Sequence, residues 1–192
     1  MGTRGAYGFH KDGVDKITYN HFDSYPIGLG ADVAEFVKNH TDDEMNEIFD
    51  RIILVKSGDA PSKEQIHECF EYYQRGVSMQ TPNEWYSLLR GAQGDLEAHA
   101  RGLRYMIDNA DFLKDSLFCE WGYVINLDKG VLEIYRGFQK APSKNRYHTN
   151  GDDSGYYNCY LIREVPFATI RETPTYMATL EDEIEQEEGG EI

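Results

Sequence analysis

The first thirty residues hold an unusual share of the side chains able to do chemistry: Arg4, His10, Lys11, Tyr19, Asn20, His21, Asp23, Ser24 and Tyr25. Gly2, Gly5, Gly8 and Gly13 are interleaved with them and let backbone pass close to a partner or ligand. Two later segments complement this one. Trp121, Tyr123 and Tyr135, with Arg136 beside the last, offer ring faces on which a base could stack. Residues 140–148, containing Lys140, Lys144, Arg146, Tyr147 and His148, are the most basic stretch of an acidic chain.

Brought together, these three segments would suit a nucleotide-like ligand. Arg4, His10, Lys11, Lys144, Arg146 and His148 would meet phosphate or ribose oxygens. Tyr19, Tyr25, Trp121, Tyr135 and Tyr147 would stack, while Asn20 and Asp23 would read polar edges. Each ordered charge-assisted contact contributes about 1.5–3 kcal/mol. The plainer alternative is a solvated basic loop over tyrosines that pack a core. His21-Phe22-Asp23 puts two metal-ligand types on one strand face, yet His10, His67, His99 and His148 lack ligand spacing, which favours a histidine–carboxylate hydrogen bond. Ser24 lies near His21 and Asp23 but outside any G-x-S-x-G elbow. The chain has no phosphate-binding P-loop, no dinucleotide G-x-G-x-x-G and no H-E-x-x-H. An N-terminal-nucleophile hydrolase would need Ser, Thr or Cys exposed by processing; loss of Met1 exposes Gly2. The expectation is therefore a binding protein with no cofactor and no metal.

The elements that must position these groups follow from hydrophobic period and turn chemistry. Thr3–Phe9 and Lys16–Phe22 flank His10-Lys-Asp-Gly13 as a hairpin, and Phe118–Leu127 and Val131–Phe138 flank Asp128-Lys-Gly130 as a second. Between them lie helical patterns. Val33, Phe36 and Val37 mark one; Thr41-x-x-Glu44 and Ser62-x-x-Gln65 are capping boxes for two more, the first leading to Met45, Ile48, Phe49, Ile52 and Ile53. Thr81-Pro82 predicts another start with proline in the first turn, and Leu96, Ala100, Leu103 and Ile107 predict a further helix. Tyr156–Val165 and Phe167–Ile170 read as strands, with a polar loop over 139–155. This order predicts an α+β domain over residues 1–178: one mainly antiparallel sheet, four or five central helices covering it, and an acidic, unstructured tail over 179–192.

The chain has 192 residues and a formal net charge of −15, with seven acidic and no basic residues among 181–192. That balance opposes broad nucleic-acid binding, which needs a positive surface, and leaves room for a DNA mimic or an acidic inhibitor of another protein. No run of 18 apolar residues is present, the opening residues show no charged region followed by an apolar one and so predict no secretory leader, and Ala6 breaks the myristoylation pattern. Cys69, Cys119 and Cys159 are odd in number and set in apolar patterns, the usage of reduced cysteines in a cytosol.

The opening Met-Gly-Thr-Arg-Gly-x-Tyr-Gly-Phe, the Tyr-Asn-His-Phe-Asp-Ser-Tyr-Pro with Leu29-Gly30, and Cys-Glu-Trp-Gly-Tyr-Val-Ile-Asn-Leu-Asp with Leu-Glu-Ile-Tyr-Arg-Gly-Phe resemble a family of small bacteriophage-encoded proteins. The resemblance runs to about Phe138 and carries no functional residue with it. It implies a host-cytosolic accessory protein that counters defence, as a sponge for a host nucleotide messenger or by binding a host defence protein. A trap whose sites lie between subunits would be a homo-oligomer.

Overall fold

In the computed structural model, which describes residues 2–75, 81–151 and 153–189, the chain opens with the expected hairpin, β1 (Gly5–Lys11) and β2 (Val14–Asn20). Asp12 and Gly13 take φ of 51° and 74°, the left-handed pair whose twist matches that of the flanking strands. A helical block follows: α1 (Ala31–Asn39), α2 (Asp42–Arg51), α3 (Lys63–Cys69), α4 (Trp85–Leu88) and α5 (Glu97–Ala100), with β3 (Ile53–Val55) and β4 (Tyr105–Ile107) set within it. Both capping boxes form. Thr41 and Ser62 accept from the N–H three residues on, and Glu44 and Gln65 return a side-chain bond to the cap. The chain ends in β5 (Trp121–Asn126), β6 (Val131–Arg136), β7 (Tyr160–Pro166), α6 (Phe167–Glu172) and α7 (Tyr176–Gly189).

The two hairpins join in one sheet of order β2-β1-β5-β6-β7, so the fold is α+β as read from the sequence. Every pairing in it is antiparallel except β1 with β5. These two run parallel because the whole helical block forms the crossover between them, as a parallel pair requires. β3 and β4 form a separate parallel pair.

Strand alternation divides the sheet into two buried faces. Tyr7, Phe9, Trp121, Tyr123, Ile125, Leu132 and Ile134 point to the face covered by α1, α2, α6 and α7. Ala6, Ile17, Val124 and Tyr135 point to the other, where Leu113, Cys119, Tyr147 and Cys159 close over them. All three cysteines are free and buried. The polar segment 139–155 has neither helix nor strand among its described residues, yet it wraps this second face and buries Tyr147 to 2% exposure.

Four local expectations are corrected. Thr81–Glu84 forms a turn and α4 begins only at Trp85, because Thr81 Oγ1 accepts from Asn83 N–H at 3.3 Å and offers the backbone a non-helical partner. Tyr105–Ile107 is strand β4, not helix: Gly102 at φ 114° breaks α5, and three bulky residues gain pairing and burial beside Ile53–Val55. Phe167–Ile170 belongs to α6, where Phe167 and Ile170 lie one turn apart on the core side and Arg171 anchors the end on Asp42 at 2.7 Å. Helix α7 runs to Gly189 through the segment expected to be an unstructured tail. Met177, Leu180 and Ile184 recur at helical spacing against the helix-covered core, which repays ordering an otherwise acidic segment.

Candidate functional site

The exit of β2 is built as a rigid hook. Asn20, 7% exposed, donates from Nδ2 to Ser24 Oγ at 3.0 Å and to the Phe22 carbonyl, while Ser24 N–H donates to Thr3 O at 3.1 Å. Tyr123 reaches across from β5 to donate its hydroxyl to Ser24 O at 2.9 Å. Asp23 sits at φ 52° and its carbonyl accepts from Leu29 N–H at 2.8 Å. Gly28 is required in this turn, since a Cβ there would come within 2.1 Å of Asp23 O. These bonds present His21, Phe22, Asp23 and Tyr25 on a fixed frame.

The opposing wall is the turn Arg90–Asp95 between α4 and α5. Tyr7, buried in the sheet, donates its hydroxyl to Ala92 O at 3.2 Å and accepts from Gly94 N–H at 2.7 Å. Gly94 has φ 82°, and a Cβ on it would stand 3.2 Å from Asn20 Oδ1, so glycine lets the two walls approach this closely. Between the walls is a cleft of ≈ 630 Å³, lined among others by Asn20, His21, Phe22, Asp23, Arg90 and Asp95. Asp32, in the first turn of α1, and Gln74 complete its rim. This size is within the range of small-molecule sites.

The cleft is electrically two-ended. Arg90 Nη1 donates to Tyr86 OH and Gln93 Oε1, both at 2.7 Å, and its guanidinium lies 5.5 Å from the centre of the Phe22 ring. Partial burial, then Arg90, then Arg4 hold the His21 imidazole below its ordinary pKa, so it is neutral at pH 7. His21 Nδ1 is 2.6 Å from Tyr19 OH, and no hydrogen bond to its Nε2 is present among the described residues. At the other end Asp95 pairs with Arg101 at 2.6 Å. Partial desolvation and the Asp95 charge lift the Asp32 carboxyl above its ordinary range. The Asp23 and Asp32 carboxylates have no hydrogen bond or ion pair among the described residues. Chemically, the site offers one guanidinium and a neutral imidazole at one end and carboxylates at the other.

Of the sequence-derived candidates, the structure brings Asn20, His21, Asp23 and Tyr25 into this cleft. It does not bring the three expected segments around a common hollow, because the sheet stands between two of them. Trp121 is in the helix-covered core with Arg136 over its ring at 4.3 Å, whereas Tyr135 and Tyr147 pack edge to face on the opposite side. The basic loop is mostly committed there. Arg146 makes a two-pronged pair with the fully buried Glu133, at 2.7 and 2.5 Å, and Glu133 also accepts from Asn126 and Tyr135. Lys144 and His148 are exposed, the latter's Nδ1 3.0 Å from Ser143 O. At the hairpin turn, His10 bonds Asp15 at 2.7 Å and Lys11 pairs with Asp50 at 2.9 Å. Arg4 stacks over Phe118, and Tyr19 packs on Phe112.

Sequence reasoning missed Arg90, Gln93, Asp95, Asp32 and Gln74. The available signal was Gly91-Ala-Gln-Gly94, two glycines around polar residues where an apolar period pauses. Among the described residues, no group of three His, Cys, Asp or Glu side chains could hold a metal, and no helix is long and apolar enough to cross a membrane. Compared with protein-family models, curated proteins and solved structures, the chain matches none.

Proposed function

We propose that this protein binds and sequesters a small polar ligand in the cleft between the β2 exit hook and the Arg90–Asp95 turn, without chemical conversion. The observation that carries the reading is the ≈ 630 Å³ cleft itself, framed by buried hydrogen bonds and holding polar groups that are unpaired among the described residues. Its two-ended charge narrows the ligand. One acidic group meets Arg90 and His21, and hydroxyl or amino donors meet Asp23, Asp32 and Asn20. Phe22, 54% exposed, and Tyr25 supply aromatic surface for a flat ring. A nucleotide with a single phosphate charge meets these demands; a polyphosphate would be repelled by the three aspartates. The resemblance to phage-encoded proteins supplies a setting, removal of a host nucleotide signal.

The test is recovery of intact ligand. Purified protein is incubated with a panel of nucleoside monophosphates and cyclic nucleotides, washed, heat-denatured, and the released compounds weighed by mass spectrometry. Stoichiometric, unaltered release that Arg90→Ala abolishes supports the proposal. A cleaved product would replace it with a hydrolase, and depletion of no nucleotide would remove the nucleotide class. The acidic surface favours one second reading, a protein inhibitor, because α7 displays Asp182, Glu183 and Glu187 to solvent. That reading expects capture of a host protein that weakens steeply with salt.

A further inference from the structure

The end of the sheet where β5 starts and β6 finishes carries large rings turned to solvent. Phe118, Phe138 and Tyr160 are 44%, 46% and 50% exposed, and none of them belongs to a buried cluster. They are neighbours. Gly137 N–H donates to Glu120 O at 2.8 Å and Phe138 N–H to Ser116 O at 2.7 Å, which sets Phe138 beside the segment holding Phe118. Tyr160 lies directly across from Arg136 in the β6–β7 ladder, and the Arg136 guanidinium is 6.0 Å from the centre of the Phe138 ring.

Phe138 is also strained. Its φ of 59° is in the left-handed region, which a bulky side chain adopts at a cost that glycine avoids. A phenylalanine kept there with half its ring in solvent gives the monomer neither an easy backbone nor a full burial. Such strain is retained where the side chain serves something outside its own core, and contiguous exposed rings mark a contact surface.

Charges of both signs stand side by side around these rings. Arg4 lies over Phe118 at 4.9 Å, and its guanidinium has no hydrogen bond or ion pair among the described residues. Glu120, next to it, accepts from Arg4 N–H through Oε1 at 3.2 Å. A nucleic-acid strand needs an unbroken row of cations, which Glu120 interrupts. A surface that carries its own counter-charge instead fits a copy of itself, since a two-fold contact requires self-complementarity. Three half-exposed rings offer about 300 Å² of apolar surface. That suffices for the centre of an interface covering about 800 Å² on each partner with a polar rim.

We infer that this end of the sheet is a docking surface for a second copy of the chain, in a two-fold dimer centred on Phe138. Arg4 of each copy meets the partner's Glu120, so both ion pairs form at once. The surface is separate from the cleft, and the dimer does not depend on what the cleft binds.

The test is sedimentation equilibrium of the full chain from about 5 to about 500 µM, at about 50 and about 500 mM NaCl. Mass should rise from one chain toward two with concentration. Salt should shift that transition about tenfold lower, because each copy carries −15 and screening removes their mutual repulsion. Phe138→Asp should remain a monomer throughout, and Arg4→Glu should weaken the dimer about tenfold. Phe138→Gly relaxes the left-handed backbone, so it should weaken the dimer yet keep or raise the melting temperature at the lowest concentration. A lower melting temperature there would mean that the ring serves the monomer and would overturn the inference. So would a monomer at every concentration, a dimer indifferent to Phe138→Asp or Arg4→Glu, or a monomer that binds a fluorescent dT10 strand through Phe138.

Discussion

Two regions of this molecule concentrate the same residue types and use them in opposite ways. On the loop-covered face, Arg146, Glu133, Tyr135, Tyr147 and Asn126 form a closed network in which every charge is answered within about one hydrogen-bond length. In the cleft, Arg90, His21, Asp23 and Asp32 keep donors, lone pairs or carboxylate oxygens unanswered among the described residues. A cation over tyrosines marks a ligand site only if its charge has not been spent inside the protein. Arg146 spends its charge on Glu133; Arg90 spends one nitrogen on neutral partners.

The sharpest way to break this comparison is Arg146→Met. It leaves Glu133, fully buried, without its counter-ion and should destabilise the fold by about 3–5 kcal/mol in urea titration. A loss under about 1 kcal/mol would mean that Arg146 is available for ligand after all. The pair also sets a pH dependence. Burial alone would raise the Glu133 carboxyl, but Arg146, Asn126 and Tyr135 together hold it below its ordinary range. Its contribution is therefore present above the ordinary carboxylate pKa and is lost as pH falls through the lowered one. In Arg146→Met only the Asn126 and Tyr135 hydrogen bonds still oppose burial, so the carboxyl rises; raised above its ordinary value, it would make stability fall as pH climbs through the raised one.

His99 provides the next largest effect. Its folded pKa of about 4 lies below the ordinary 6.5, so between those values the unfolded chain binds more protons. Stability should rise by about 3 kcal/mol from pH 4 to pH 7 on this account, and His99→Gln should flatten that slope in denaturation curves measured across the window. Tyr7→Phe follows, costing about 1–2 kcal/mol by leaving Ala92 O and Gly94 N–H without their hydroxyl partner. It should also loosen the cleft wall, read as faster exchange of the Gly94 amide. Smallest are Lys144→Ala and His148→Ala, on the exposed loop. Each should change stability by under about 0.5 kcal/mol and leave nucleotide recovery unchanged. Lost recovery in either would move the site back to the loop.

The parts of the fold legible in the sequence were those with local causes. The Asp12-Gly13 turn, the two capping boxes and the alternation of Trp121, Tyr123 and Ile125 each depend on residues within a few positions of one another. The misread segments depend on distant partners. Tyr105–Ile107 is a strand because Ile53–Val55 lies beside it, and α7 continues past Leu180 because a core waits for Ile184. Half of the cleft was legible as well, in the dense Asn20–Tyr25 hook; the Arg90–Asp95 wall was not, since its relation to Asn20 passes through Tyr7 and the depth of the sheet.

By itself the sequence determined the element types with strong local signals, the α+β class, the acidic balance and the chemical richness of the β2 exit. Only the tertiary structure decided which of those chemical groups remain unpaired. It did so by placing a sheet between Trp121 and Tyr147, setting Glu133 under Arg146, and bringing Arg90 to Phe22. The physical reason is that side-chain type fixes what a group can bind, whereas the groups folded against it, often a hundred residues away, fix whether that capacity is already consumed.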